Sequence, residues 1–145
     1  MNTNDTDKEC ARMANAYADE LNAICEGRVY RKESDEGEVE WLTIKDGEEP
    51  PQGEDGEELE QVSIYDFVER SGLGDIRYEV AMANNHWQVY GGRILVAFGG
   101  PNIWITQDEV KVYWWGHSAE AELYSETKDA LMDFFEENFQ MLNER

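Results

Sequence analysis

Six carboxylates near the carboxyl end of the sequence recur at the spacing of one helix face. They are separated by steps of three, four and seven or eight residues, which place side chains in one stripe; they are Glu126, Asp129, Asp133, Glu136, Glu137 and Glu144. Neighbouring acids on such a stripe lie about 5–6 Å apart, close to the roughly 6–7 Å between successive phosphates along a DNA strand. The chemistry that this spacing favours is pairing with lysine and arginine side chains that otherwise hold phosphates.

A second set of acids lies in the middle of the chain. Asp35, Glu36, Glu38 and Glu40 lead into a segment, 46–60, with eight acids, two prolines, three glycines and no base. Such a segment buries too little apolar surface to order itself, so we expect a mobile acidic loop over 45–60. The predicted partner-binding residues are Glu126, Asp129, Asp133, Glu136, Glu137, Glu36, Glu38, Glu40, Asp46, Glu48, Glu49, Glu54, Asp55, Glu57 and Glu58.

Each acidic set also has a simpler interpretation. Glutamate is a good helix former, and the polar face of an amphipathic helix has to carry some residue. A run of charge is usually a solvated linker. The composition of the whole chain supports the functional interpretation, because it has 33 acids, 12 bases and a formal net charge of -21.

This net charge limits the classes of partner that the protein can bind. Nucleic acid and anionic lipid should be repelled, so the natural partners are basic protein surfaces. The longest clean apolar run, 94–98, is far shorter than the roughly 20 residues that span a bilayer. The first residues lack the basic and apolar regions of a secretory signal. We therefore expect a cytoplasmic protein, in a host cell if it is encoded by a phage.

The density of acids tests whether the chain could imitate DNA. A folded protein of this mass exposes about 7,600 Å², or one acid per roughly 230 Å² if they are spread evenly. Duplex DNA, taken as a cylinder, carries one charge per roughly 100 Å². Imitation therefore requires clustering, and residues 76–107 support it because Glu79 is their only acid, against Arg77 and Arg93.

The chain is expected to form a single domain, 1–145, of the α+β class. A helix is predicted over 7–26, because apolar residues recur at helical period, Thr6 and Glu9 have capping-box spacing and Gly27 suits its end. Short strands are predicted near 28–33 and 38–44. A short middle helix is predicted after Ser63.

The second half of the sequence predicts an antiparallel sheet over 76–124 and then an acidic helix over 126–142. Alternation of apolar and polar residues indicates the strands, Asn84-Asn85 suits a tight turn, and Gly91-Gly92 suits a turn or bulge. Short connections between sequential strands imply a meander, with the N-terminal, middle and C-terminal helices packed on one face.

Large apolar groups are predicted on both faces of this sheet. Trp104 should face opposite to Ile103 and Ile105, and Trp114 opposite to Tyr113. Helices cover one face, so the other should meet the 28–44 hairpin, a second subunit or a partner. This leaves a homodimer open.

Catalysis finds little support. Cys10 and Cys25 fall in one predicted helix, about 22 Å apart, too far for a disulfide. With His86 and His117 they form no metal-binding spacing. No nucleophile elbow, phosphate-binding loop or HExxH motif occurs. We expect no cofactor, no metal and no enzymatic activity.

The sequence around the predicted hairpins resembles small acidic proteins carried by phages and mobile elements. The resemblance lies in Gly99-Gly100-Pro101-Asn102-Ile103-Trp104, in Val112-Tyr113-Trp114-Trp115-Gly116 and in the acidic closing helix, and covers roughly 76–142. It implies an anti-defence protein, as anti-CRISPR and antirestriction proteins are, some of which act as DNA mimics. It assigns no functional residues.

The sequence thus predicts a non-enzymatic inhibitor that presents carboxylates to a basic nucleic-acid-binding site of a CRISPR effector or restriction enzyme. Two alternatives stay open. One is an immunity protein that neutralises a basic toxin or nuclease. The other is a salt-adapted acidic protein of unrelated function.

Overall fold

A computed structural model describes residues 3–53 and 56–143. The predicted site residues Glu54 and Asp55, and Glu144 of the helical series, lie outside these ranges. The elements are α1 (Thr3–Cys25), β1 (Val29–Glu33), β2 (Val39–Thr43), β3 (Glu60–Gln61), α2 (Ile64–Ser71), β4 (Ile76–Ala83), β5 (His86–Ala97), β6 (Asn102–Thr106), β7 (Glu109–Trp114), β8 (His117–Glu122) and α3 (Ser125–Asn143). The α+β class is confirmed.

The two long helices differ slightly from their predicted bounds. Helix α1 begins at Thr3, so the prediction that Thr6 caps it is wrong, and Thr6 is buried within the helix. The helix ends at Cys25, one residue before the predicted end. Gly27 terminates it as predicted: Gly27 has a φ of 73°, and the Arg28 N–H donates to the Ala23 carbonyl at 2.9 Å. Helix α3 extends one residue beyond the expected 126–142 at each end.

Strands β4 to β8 form one antiparallel meander in sequence order, as predicted. Ile94, Ile105, Val110 and Ala121 are successive cross-strand neighbours, and all four are buried. The face that they form is covered by α1, packed on β7 and β8, and by α3, packed on β5. The last strand of this sheet, β8, ends at Glu122, two residues before the predicted end of the sheet.

The hairpin between β4 and β5 turns on two asparagines. Asn84 and Asn85 have φ angles of 51° and 66°, as a tight turn of the primed type requires. Further along, the register shifts between Glu79 and Val80, leaving Tyr90 as an extra residue of β5. Gly91-Gly92 therefore lies at a bulge.

At Gly92, a side chain of α3 packs directly on the backbone of the sheet. A Cβ at this position would lie 2.6 Å from Cδ1 of Phe135 and 2.8 Å from the Arg77 carbonyl oxygen. Such contacts are too short for any side chain. The absence of a side chain at Gly92 thus lets the buried ring of Phe135 rest on the backbone of β5.

Strands β1, β2 and β3 form a second sheet, in the order β2-β1-β3. The predicted hairpin of 28–44 is present, but it pairs with β3 and lies against α2, where the Arg70 guanidinium is 4.3 Å from the Trp41 ring centroid. Between β2 and β3 the described backbone is irregular apart from a bridge between Gln52 and Glu58. Glu60, predicted to end the acidic loop, belongs to β3.

Helix α2 links α1 and α3. Ser63 caps it reciprocally with Asp66, and its apolar side carries the buried Phe67. The Phe67 ring meets Tyr17 of α1 edge to face at 6.4 Å, and Tyr65 meets Phe134 of α3 at 4.9 Å. The three helices thus pack against one another, and α1 and α3 lie on the large sheet.

A buried amide fixes the start of α3 to α1. Asn22 Oδ1 accepts from the Tyr124 N–H at 3.0 Å and from the Thr127 hydroxyl at 2.8 Å. Asn22→Ala leaves both donors without this acceptor, and we expect a loss of about 2–3 kcal/mol in the free energy of unfolding. Urea denaturation measures it. Asn15→Ala, the same change at an exposed position of α1, is the control, and equal losses in the two variants would contradict the expectation.

Candidate functional site

The strongest candidate site is a row of carboxylates on α3, here called the α3 stripe. It consists of the described acids Glu126, Asp129, Asp133, Glu136 and Glu137. At 100° per residue these five positions fall within an arc of about 100°, and they span about 16 Å along the helix axis. The stripe therefore carries one acid per about 4 Å, comparable with the 3.4 Å per phosphate of one DNA strand.

The buried side of α3 holds the stripe outward. Leu131, Phe134 and Phe135 are buried against the sheet and α2, and all five acids of the stripe are exposed. The helical period alone separates the two sets. The orientation of the stripe is therefore determined by the packing of the two phenylalanines.

The stripe has no ion-pair partner among the described residues. No ion pair within residues 3–53 and 56–143 involves any of its five acids. The one described base on α3, Lys128, instead contacts Glu122 of β8, with Nζ and Oε1 2.7 Å apart. The carboxylates are thus available to cations of another molecule.

One acid of the stripe has an internal partner that the sequence did not reveal. The Tyr65 hydroxyl donates to Glu137 Oε2 at 2.6 Å. Burial and this hydrogen bond to a carboxylate together raise the pKa of Tyr65 to about 12. The contact joins α2 to α3 and fixes the orientation of Glu137. No local pattern relates residues 72 positions apart.

The raised pKa of Tyr65 predicts a loss of stability in alkali. The pKa rises from 10.0 to about 12 on folding, so the contribution of the neutral phenol is complete below pH 10 and is lost as the pH rises to about 12. We expect the difference in melting temperature between the wild type and Tyr65→Phe to shrink over that window. Tyr90→Phe, which removes a phenol from an exposed side chain, is the control. A difference that stays constant to pH 12 would contradict the assignment.

The acids of the middle segment lie on the small sheet and its loop. Glu36, Glu38, Glu40, Asp46, Glu48, Glu49, Glu57 and Glu58 are all exposed. In the described ranges none of these eight forms an ion pair. They are spread over the turn between β1 and β2, over β2 itself and over the connection to β3, and do not form a single row.

The start of the α3 stripe has a neighbour at the end of α1. Burial raises the pKa of Cys25, and the nearby carboxylates Glu126 and Glu26 raise it further. Glu126, the first acid of the stripe, therefore lies beside the end of α1, from which the chain enters the small sheet. Both cysteines are free thiols.

The sheet face opposite the helices has a different character. The guanidinium carbons of Arg77 and Arg93 lie 5.1 and 4.7 Å from the Trp104 ring centroid, and Lys111 is the cross-strand neighbour of Trp104. With Tyr113 they line a groove of about 550 Å³. The molecule's own arginines thus lie over Trp104, and three of the 12 bases lie on this face. Of the expected occupants of this face, the 28–44 hairpin lies against α2 instead, and a second subunit or a partner stays a prediction.

Even spreading of the acids would not imitate DNA. The accessible surface is 9518 Å², so 33 acids correspond to one per about 290 Å², against roughly 100 Å² per charge on duplex DNA. This is sparser than the sequence alone suggested. Only a local row such as the α3 stripe approaches the charge spacing of a nucleic acid.

Comparisons with models of protein families, with curated proteins and with solved structures found no match to this chain. In the described part of the chain no helix is long and apolar enough to cross a membrane. The same residues contain no group of three or more histidine, cysteine, aspartate and glutamate side chains placed to hold a metal ion.

Proposed function

We propose that this protein is a non-enzymatic inhibitor that presents the α3 stripe to a basic nucleic-acid-binding site of a host defence protein. The targets that fit best are CRISPR effectors and restriction enzymes, which hold nucleic acid in basic channels. Such an inhibitor would act in the cytoplasm of the host cell. The observation that carries the proposal is the row of five exposed acids, none of which forms an ion pair with another described residue.

The stripe would act by competition. Carboxylates at nearly the spacing of phosphates can pair with the lysines and arginines that hold a DNA strand, and charge-assisted hydrogen bonds are about twice as strong as neutral ones. The target's basic site cannot hold both ligands. Inhibition follows without any chemical step.

Aromatic groups beside the stripe would add specificity. Glu136 lines a groove of about 370 Å³ together with Trp87 and Phe139, and the Trp87 side chain is 58% exposed. Exposed tryptophans at the edge of a charged surface are frequent anchors of protein interfaces. Trp87 therefore offers a contact that a real nucleic acid lacks.

The proposal is tested by capture and displacement. Bacterial lysate is passed over the immobilised protein, and bound proteins are eluted with duplex DNA and identified by mass spectrometry. We expect basic nucleic-acid-binding proteins, released by the DNA because both compete for one site. Retention of only neutral or acidic proteins that DNA does not release would contradict the proposal.

Salt provides an independent test. The affinity for the captured target should fall steeply between about 0.1 and 1 M salt, because the Debye length shrinks from about 10 to 3 Å. Isothermal titration calorimetry across this range measures the slope. An affinity that does not change with salt would show that the acids do not carry the binding.

An immunity protein for a basic nuclease toxin is the second candidate, favoured by the same stripe of exposed acids. Identification of the captured protein separates the two. Salt adaptation is tested by the melting temperature alone: an inhibitor should be folded at ordinary ionic strength, whereas a salt-adapted protein should need molar salt.

A further inference from the structure

The edges of the two sheets differ in their charges. The exposed edges of a sheet are templates for pairing with another strand. The large sheet has β4 and β8 as its edges, and the small sheet has β2 and β3. Strand β8 carries Glu120 and Glu122 with no lysine or arginine, and β2 carries Glu40 alone. These acids oppose pairing of like edges, since like charges that face each other destabilise a sheet.

Strand β4 combines the two signs. It is eight residues long, and Arg77 and Glu79 are its only charged residues. They flank Tyr78, and Ile76 and Val80 lie just outside them. If a second β4 pairs with it antiparallel about Tyr78, Arg77 faces Glu79 of the second copy and Ile76 faces Val80 of the second copy. The strand is thus complementary to itself.

The backbone of β4 fits this register. The Leu95 N–H donates to the Asp75 carbonyl at 3.0 Å, and antiparallel ladders alternate along each strand. Residues 75, 77 and 79 therefore turn their backbone groups towards β5, and Ile76 and Tyr78 turn theirs to the open edge. The bulge lies in β5, at Tyr90, so β4 itself stays regular up to Glu79.

The side chains of Arg77 and Glu79 lie on the same face of the sheet, so they can meet those of a second copy. Arg77 belongs to the open face, since its guanidinium is near Trp104, and Glu79 lines the same groove. The Arg77 side chain is 56% exposed and contacts Asp75 at 3.3 Å. In a continued sheet the two faces align, so Glu79 of the second copy lies beside Arg77.

We propose that two copies of this chain associate through their β4 edges to form one continuous ten-stranded sheet. Two Arg77–Glu79 pairs, related by the two-fold axis at Tyr78, set the register. The net charge of -21 on each copy opposes association. Salt screens this distributed repulsion more than it screens the contacting pairs, so the dimer should strengthen as salt rises. The acid–base complex proposed above has the opposite dependence.

Charge reversal at the edge tests the proposal. Arg77→Glu places two acids opposite each other, and Glu79→Arg places two bases opposite each other. Each variant alone should weaken self-association at least about tenfold. A mixture of the two is complementary again, and heterodimers should form with nearly the wild-type affinity. Sedimentation velocity over a range of protein concentration and salt measures all four samples.

A matched control is available at Arg93. Arg93→Glu removes the other guanidinium from Trp104 and makes the same charge change, but Arg93 lies on β5, away from the edge. The Arg93→Glu variant should dimerise as the wild type does. A wild type that stays monomeric at all concentrations and salts, or a mixture that stays monomeric, overturns the proposal. So does a loss of dimer in Arg93→Glu equal to that in Arg77→Glu. Because no target is present, the result is independent of the α3 stripe.

Discussion

Reversal of three acids at the centre of the α3 stripe should nearly abolish binding to the target. In the variant with Asp129, Asp133 and Glu136 replaced by lysine, each attractive contact becomes repulsive. At about 1–2 kcal/mol for each charged contact, the dissociation constant rises about 10²- to 10⁴-fold. Glu137 is left unchanged because it accepts the hydrogen bond from Tyr65. Calorimetric titration against the captured defence protein measures the effect.

The control separates position from total charge. Asp19, Asp108 and Glu120 are exposed and lie on α1, a turn and β8, and their replacement by lysine changes the net charge equally. This control should reduce affinity by much less, chiefly through slower association. If the two triple variants lose the same affinity, only the net charge matters and the α3 stripe is ordinary solvated surface. Melting curves of both variants confirm folding.

The sheet and the acidic helix could be predicted because each depends on local pattern. In the turn, Asn84-Asn85 tolerates positive φ, and the alternation after Ile76 identifies one buried face. In α3, the helical period that aligns the five acids also aligns Leu131, Phe134 and Phe135. The local pattern alone therefore predicts which face of each element is buried.

The bounds of α1 were less predictable. Thr6 and Glu9 have the spacing of a capping box, yet Thr6 is buried within a helix that begins earlier. A threonine followed three residues later by glutamate is compatible with both a helix start and a helix interior. Burial against neighbouring elements decides between them, and this depends on tertiary packing.

Contacts between elements were missed for the same reason. Periodicity assigns a residue to a face but does not give the register between strands or helices. Arg77 and Trp104 lie on β4 and β6, with β5 between them, so only the strand pairing brings the guanidinium over the indole. The hydrogen bond from Tyr65 to Glu137 likewise depends on how α2 crosses α3. The groove beside Trp104 and the fixed orientation of Glu137 both follow from these contacts.

Loss of the Phe135 ring should be the most destabilising single truncation that we predict. Phe135 is fully buried, meets Tyr78 edge to face at 6.3 Å and Phe134 at 5.6 Å, and lies over the backbone at Gly92. Phe135→Ala leaves a cavity between α3 and β5, and we expect a loss of about 3–5 kcal/mol in the free energy of unfolding. Urea denaturation measures it.

The same truncation at Phe98 is the control, because that side chain is 77% exposed and its loss should change stability by no more than about 0.5 kcal/mol. Since the packing of Phe135 orients α3, its truncation should also weaken target binding even though every acid of the α3 stripe remains. Refolding of Phe135→Ala with unchanged stability would show that α3 does not depend on this contact. The direction of the stripe would then have to be set by the contacts of Phe134 and Tyr65 with α2.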